Sequence, residues 1–463
     1  MFKTLFNALK VADLRKKLLV TLGLLIVFRA GAFITAPGVD GELLAEYMGQ
    51  NTSSILTTIN LVTGGAFSML SIFAMSISPY ITASIVIQLL TVAIPSLEEL
   101  SKEGEAGKKK IAKYTKYLAV VLAAIEAFGL YMTYRGANVF LGESLMIPMM
   151  FILTLTAGST FLMWLGDKIT STGIGNGTSL LIFAGIISAL PGTLDYLWNS
   201  VIFQEGVFSI TGLISSLILA VFSILLIAGV VWVTDAERRV PVQYAKRVVG
   251  RKMYGGQSTH IPLKLAMAGV MPVIFAMSLL QFPAMIIQLI NPNAATDTGF
   301  WAGVYKVCAF SSLPSSGDLL VVGIVYTIVY LALIALFTYF YTKMVFNTTE
   351  VANNLKRNGG FVPGIRAGRP TSEYLSNILK YLSGFGSIFL GIIAILPVIP
   401  KVIDCLLLKL GATPPEFLAV LLDVFSNVAF GGTAILIVVS VAIESIKQLE
   451  SQMMVRHYKG FLD

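Results

Sequence analysis

NLVTGGAFSMLSIFAMSISPYITASIVIQLL, residues Asn60 to Leu90, is too apolar and too long for a loop. It is also too broken for one helix, because Gly64-Gly65 and Ser78-Pro79 interrupt it. A short helix over Leu61 to Phe73, followed by a membrane span from about Met75, fits it best. Short helices that stop at membrane depth are tolerated only where protein or a water-filled cavity surrounds them. The residues alone leave two placements open, one at the interface and one re-entrant.

The rest of the chain has the composition that such a segment requires. Of 463 residues, 56% are hydrophobic and 13% are charged, and the mean hydropathy is +0.81. Soluble chains carry about 25% charge, so water could not cover this surface and a bilayer can. A helix crosses the hydrocarbon core in roughly 20 residues. Ten candidate spans meet that length, near 18–36, 74–95, 117–134, 147–165, 178–195, 211–233, 265–290, 319–342, 378–399 and 418–443. The basic leader MFKTLFNALKVADLRKK precedes the first of them, as in a signal peptide. The run Leu18 to Thr35 is nevertheless long enough to span, and it is read as a retained first helix.

Charge placement tests this count independently. With both ends and every second loop cytoplasmic, only Arg135, Lys306, Lys401 and Lys409 of the 33 Lys and Arg fall on the opposite side, and Arg29 lies inside the first span. A missed helix would scramble that alternation. Ten spans divide into halves of five, residues 1–198 and 199–463, and five is odd. The second half therefore enters the membrane in the opposite orientation, a plan that pairs two halves about an axis in the membrane plane.

Two cytoplasmic loops, 234–264 and 343–377, are unusually long and basic. In the first, Val240, Val242 and Tyr244 alternate with other residues before Gly255-Gly256, which predicts a projecting hairpin. Lys246, Arg247, Arg251 and Lys252 fall near its tip. In the second, a helix is expected to end at Asn358-Gly359-Gly360, leaving GIRAGRP as a basic turn with Arg366 and Arg369. Loops of this length are often functional, and their charge suits an anionic partner such as ribosomal RNA.

Several function classes drop out. GIGNGTS, Gly173 to Ser179, lacks the strand of a dinucleotide fingerprint, and GEAGKKK, Gly104 to Lys110, lacks the spacing of a phosphate loop. The first reads instead as a turn with Thr178 or Ser179 capping a helix. Cys308 and Cys405 are isolated, and His260 and His457 lie in polar stretches, so neither a metal site nor a catalytic residue is expected. Paired aspartates, a Ser/His couple and HExxH, any of which an intramembrane protease would need, are not found. Ion and solute transporters keep ionisable groups in their spans. Here Arg29, Glu126 and Asp423 form no evident pair. What the spans carry is mild polarity at helical spacing: Ser84, Gln88 and Thr91 on one helix, Ser278 and Gln281 on another. Interhelical hydrogen bonds explain most such stripes, but a weakly polar, uncharged interior also suits the passage of varied chains.

Several long stretches have a family look. They are GGAFSMLSIFAMSISPYITASIVIQLLT, GIGNGTSLLIFAGI, PVQYAKRVVGRKMYGGQSTHIPLKLAMAGVMPVIFA, NNLKRNGGFVPGIRAGRPTSEYL and FGGTAILIVVSVAIES. In these, and in their order, the chain resembles the bacterial SecY family, central subunits of the general protein-secretion channel, along essentially its whole length. The resemblance implies an all-α polytopic membrane protein with ten transmembrane helices in two inverted five-helix halves and a re-entrant plug helix. The plug would be about Leu61 to Phe73, with Gly64, Gly65, Phe67 and Leu70 within it. A pore ring would comprise Ile77 and Ile81 in the second span, Ile182 in the fifth, Ile274 in the seventh and Ile437 in the tenth. Seen without the family, nothing local selects those five.

The same resemblance places Ser84, Gln88, Thr91, Ser278, Gln281 and Phe282 near a lateral gate that opens to membrane lipid. Apolar signal sequences would intercalate there, driven by roughly 25 cal/mol per Å² of burial. It implies docking of the motor ATPase SecA or the ribosome through Arg247, Arg251, Lys252, Lys356 and Arg366. SecE and SecG would be small membrane subunits, nascent polypeptides the cargo, and the bacterial plasma membrane the location, with no cofactor. Ala367 stands where a common GIRPG pattern has proline, so a looser turn is expected there.

Overall fold

The computed structural model describes residues 9–44, 64–136, 139–142, 146–204, 207–244, 247–249, 252–254, 258–291, 297–310, 313, 315–411, 414–427 and 432–459. Eight helical runs are each long and apolar enough to cross a bilayer, or nine if one sharply bent pair counts as a single span. A helix is present at every one of the ten expected places. The exception to the crossing test is the first, α1 (Ala12–Gly31), because Arg15, Lys16, Lys17 and Arg29 ride on it.

The bent pair is α2 (Ser78–Ala93) and α3 (Pro95–Lys102), which meet at 105°. Pro95 cannot donate to the preceding turn, so the chain breaks there. Then come α4 (Glu105–Arg135), α5 (Met146–Thr172) and α6 (Gly177–Ser188). The last continues through α7 (Leu190–Tyr196) and a π-turn at Leu197–Ile202 into a minimal hairpin of β1 (Phe203–Gln204) and β2 (Val207–Phe208). The second part holds α8 (Ile210–Asp235), α9 (Met271–Ile290), α10 (Phe300–Cys308) and α11 (Leu320–Val345). After these run α12 (Thr348–Arg357), α13 (Arg369–Ile395), α14 (Val398–Leu410), α15 (Glu416–Asn427) and α16 (Gly432–Lys459).

The outward faces confirm the solvent. On α8, Leu217, Ile224, Leu225 and Trp232 are each more than 60% exposed. A patch of that size on a soluble monomer would be an interaction or aggregation surface; here it is the lipid face of a multi-pass membrane protein.

The expected tenth span, 418–443, falls on α15 and α16, with residues 428–431 outside the described residues; a Cβ on Gly432 of α16 would overlap the Ile393 carbonyl oxygen on α13. Two expectations need correcting. The second span begins at Ser78 rather than near 74, because the segment before it is coiled into turns. The cap of α6 is Asn176, not Thr178 or Ser179: its Oδ1 accepts from both of their backbone N–H groups, at 3.1 and 3.4 Å. The helix starts that early because Gly177 fits against the Gly166 carbonyl oxygen, where any Cβ would collide.

The predicted hairpin forms, and it is larger than the sequence indicates. β3 (Glu237–Tyr244) pairs antiparallel with β6 (Ser258–Lys264), and a small outer hairpin joins β4 (Arg247–Val249) to β5 (Lys252–Tyr254). The second long loop adds β7 (Gly360–Phe361) to the free edge of β3, with Gln243 opposite Phe361. Val240, Val242 and Leu263 from one loop share a buried cluster with Leu355, Val362 and Leu375 from the other. The two basic loops are therefore one folded unit.

Candidate functional site

The segment that decides the fold is also the centre of the site. Leu61 lies outside the described residues. From Gly64 to Ile77 the chain runs as successive turns and not as the expected short helix. Gly64 and Gly65 have φ of 65° and 89°, and Leu70 and Ser76 also take positive φ, at 38° and 50°; each breaks a right-handed helix. Such irregular backbone survives at membrane depth only when protein encloses it. Phe67, Leu70, Ser71, Phe73, Ala74, Met75 and Ile77 are all buried.

Helices with glycines at the contact provide the enclosure. A Cβ on Gly31 of α1 would strike the Phe73 ring, and one on Gly158 of α5 would strike the Ile72 carbonyl oxygen. Ile72 N donates to Ile34 O and Ala36 N to Leu70 O, both at 2.9 Å, which ties the segment to the chain leaving α1. Arg29 Nη1 donates to the Gly64 carbonyl. Rings complete the seat: Phe28 stacks on Phe73 at 6.2 Å and Phe73 on Phe161 at 5.9 Å.

The five isoleucines, from distant parts of the chain, all lie in or against one extensive apolar core. Ile77, Ile182 and Ile437 are 2%, 7% and 7% exposed and share one apolar cluster with Phe73. Ile81 and Ile274 are partly buried against the same cluster. Ile77 is not within a helix but is the residue that precedes the first turn of α2. Each is a stiff β-branched side chain that offers no hydrogen bond.

α9 packs against both α2 and α4. Phe282 lies against a small cluster of Ala83, Ala119, Leu122 and Met163. The polar stripes do not bridge the seam. Gln88 Nε2 donates to Ser84 Oγ at 3.0 Å and Thr91 Oγ1 to the Ile87 carbonyl at 2.7 Å, all within α2. Ser278 is half-buried and Gln281 exposed on α9. Among the described residues no side-chain hydrogen bond joins α2 to α9. Gln88 Oε1 is buried without a partner, a state that costs about 1–3 kcal/mol.

On the unit formed by the two basic loops, Lys356 and Arg366 are exposed. α12 ends at Asn358, followed by Gly359 at φ 70°, as its sequence predicts. Around Ala367, Ile365 N donates to Val362 O at 3.0 Å and Thr371 Oγ1 to Arg366 O at 2.8 Å. Arg247 and Lys252 lie on β4 and β5, and Arg251 lies outside the described residues. The ionisable residues of the spans stay apart. Asp423 accepts from Tyr196 Oη at 2.9 Å, Arg29 binds backbone, and Glu126 has neither as a partner.

Among family models, that of SecY matches residues 71–446. This chain belongs to the SecY family. A protein translocase subunit SecY of Streptomyces scabiei is 42% identical, over 98% of each chain. The fold matches a SecY structure whose plug domain is described as stabilising the closed state of the translocation channel. That match has TM-score 0.64 and 19% identity, over 95% of this chain and 92% of the other. Canine Sec61 in a ribosome-channel complex matches with TM-score 0.60 and 19% identity, over the same shares.

The seat of the turn segment was not visible in the sequence. Gly31, Gly158 and Arg29 are single residues on three-turn-plus helices, and only the presence of a charge inside a span marks Arg29 as unusual.

Proposed function

We propose that this SecY-family chain conducts unfolded polypeptides across the membrane through the isoleucine constriction and releases apolar segments sideways between α2 and α9. The observation that carries this reading is convergence. Five isoleucines from four separate regions of the chain lie in or against one apolar core, which also holds Phe73 of the buried turn segment. Stiff aliphatic walls offer a passing chain no specific bond, so they select neither sequence nor charge. The segment of about 61–73 serves as the plug, of which residues 64–73 are described. Residues 1–198 and 199–463 act as two halves of five spans each, ten in all with both ends cytoplasmic, and they hinge apart at the α2–α9 seam.

Nothing among the proposed parts supplies energy, so the drive comes from partners. The joined basic loops dock SecA or the translating ribosome, and SecE and SecG accompany the chain in a bacterial plasma membrane. That a fold relative is a ribosome-bound channel supports the docking reading. A stalled secretory chain should cross-link to probes at Ile81 and Ile274. Cross-links confined to lipid-facing positions such as Leu217 would overturn the pore. Charge reversal of Arg366 and Lys356 together is expected to weaken ribosome or SecA binding severalfold, more at low salt than at high salt. Salt-insensitive binding that survives both changes would remove the docking surface.

A further inference from the structure

Arg29 sits one residue after Phe28 on the last turn of α1, half-buried, and the constriction and gate leave it unexplained. Its guanidinium donates to the Gly64 carbonyl and rests 4.5 Å from the centroid of the Phe33 ring. Among the described residues it has no carboxylate partner. A charge taken partly out of water needs compensation, and here a backbone carbonyl and an aromatic face provide it.

The acceptor is equally particular. Gly64 has φ 65°, and a Cβ there would overlap Ser188 Oγ and crowd the Gly185 carbonyl of α6. Ser188 Oγ makes a second, longer approach to the same Gly64 oxygen, at 3.4 Å. Every other polar contact described above that holds the turn segment is between neutral groups. The charge-assisted bond from Arg29, roughly twice as strong as a neutral one, is the strongest of these contacts.

We propose that Arg29 is a positioning residue, the latch that fixes the plug segment over the constriction. It releases when a peptide carbonyl of the translocating chain takes the place of the Gly64 carbonyl. The exchange replaces one amide acceptor with another, so a polypeptide trips the latch at little cost, whereas a cation offers the guanidinium nothing. The inference rests on reading residues 61–73 as the plug.

The test uses the complete channel complex in planar bilayers. Four forms are compared: wild type, a deletion of residues 64–73, Arg29→Met and Arg29→Lys. The deletion should leak. Arg29→Met should raise resting conductance about tenfold, the shift in open fraction that loss of one charge-assisted hydrogen bond implies. Arg29→Lys, which keeps a charged donor without the flat guanidinium face, should fall between.

A reversible tether separates latching from general damage. Thr35 and Ser71 are directly opposed in an isolated bridge, so Thr35→Cys with Ser71→Cys should close a disulfide across it. Oxidation of that pair should silence the Arg29→Met leak, and reduction should restore it. A leak indifferent to the tether would overturn the latch, since the damage would then lie elsewhere in the channel. Wild-type conductance in Arg29→Met beside a leaking deletion would overturn the latch and leave the plug. Wild-type conductance in both would overturn plug and latch together.

Discussion

Replacing Gly158 by valine is expected to make the resting channel leak to ions and to lower its thermal stability. The added Cβ would occupy the space of the Ile72 carbonyl oxygen and press on the Phe73 ring. Overpacking of this kind costs about 1–3 kcal/mol, and one partner must move. α5 is a 27-residue helix whose inner face is fixed by Phe151, Leu155, Leu162 and Leu165. The partner is a run of turns tied by a few hydrogen bonds, so it yields first. Gly31→Leu should act the same way from the opposite wall, through Phe73. The control is Gly23→Val on α1, where a Cβ meets nothing within 4 Å; its conductance and melting point should stay near wild type. Leak is read as single-channel conductance, and plug displacement as labelling of Leu70→Cys, buried in the native chain, by an impermeant thiol reagent. Wild-type conductance and no labelling in Gly158→Val would show that the segment is not held by this contact.

The membrane helices were legible because span length and the alternation of Lys and Arg are set by the bilayer itself, whatever the helices pack against. The boundaries were less so, and the reasons are local. Within the tenth expected span, α15 and α16 are described on either side of residues 428–431. The close approach of Gly432 to the Ile393 carbonyl on α13 is a tertiary contact that apolar content does not show. The short helix before α2 was misread for the same reason, since Leu70 and Ser76 adopt positive φ only because buried packing holds them. The hairpin was readable from its alternation, yet β7 adds only two residues to it, too few for any pattern. Among the site residues, the five isoleucines came from resemblance, and their convergence is a property of the fold that no window of sequence contains. Arg29 was legible as an oddity, but its acceptor, a glycine carbonyl, carries no side-chain signal.

Asparagine at Ile77, Ile182 or Ile437 is expected to give the largest functional change of any single substitution in the constriction. These three are the most buried of the five and share one cluster. An amide placed among them lacks a partner, a burial worth roughly 1–3 kcal/mol on protein scales. The inexpensive remedy is to admit water, and a hydrated constriction conducts. Resting conductance should therefore rise, and substrates with defective signal sequences should be exported, because less apolar driving force is then needed to open the channel. Ile81→Asn and Ile274→Asn should leak less, since both side chains already reach partly accessible space. Ile→Val at any of the five keeps the β-branch and should seal nearly as well as wild type, which separates wetting from simple loss of volume. Pairs within the ring should be non-additive, because the first amide already hydrates what the second would. If all three buried-site asparagine variants keep both wild-type conductance and wild-type signal stringency, the isoleucine cluster is ordinary packing, and the barrier to ions must rest on the turn segment alone.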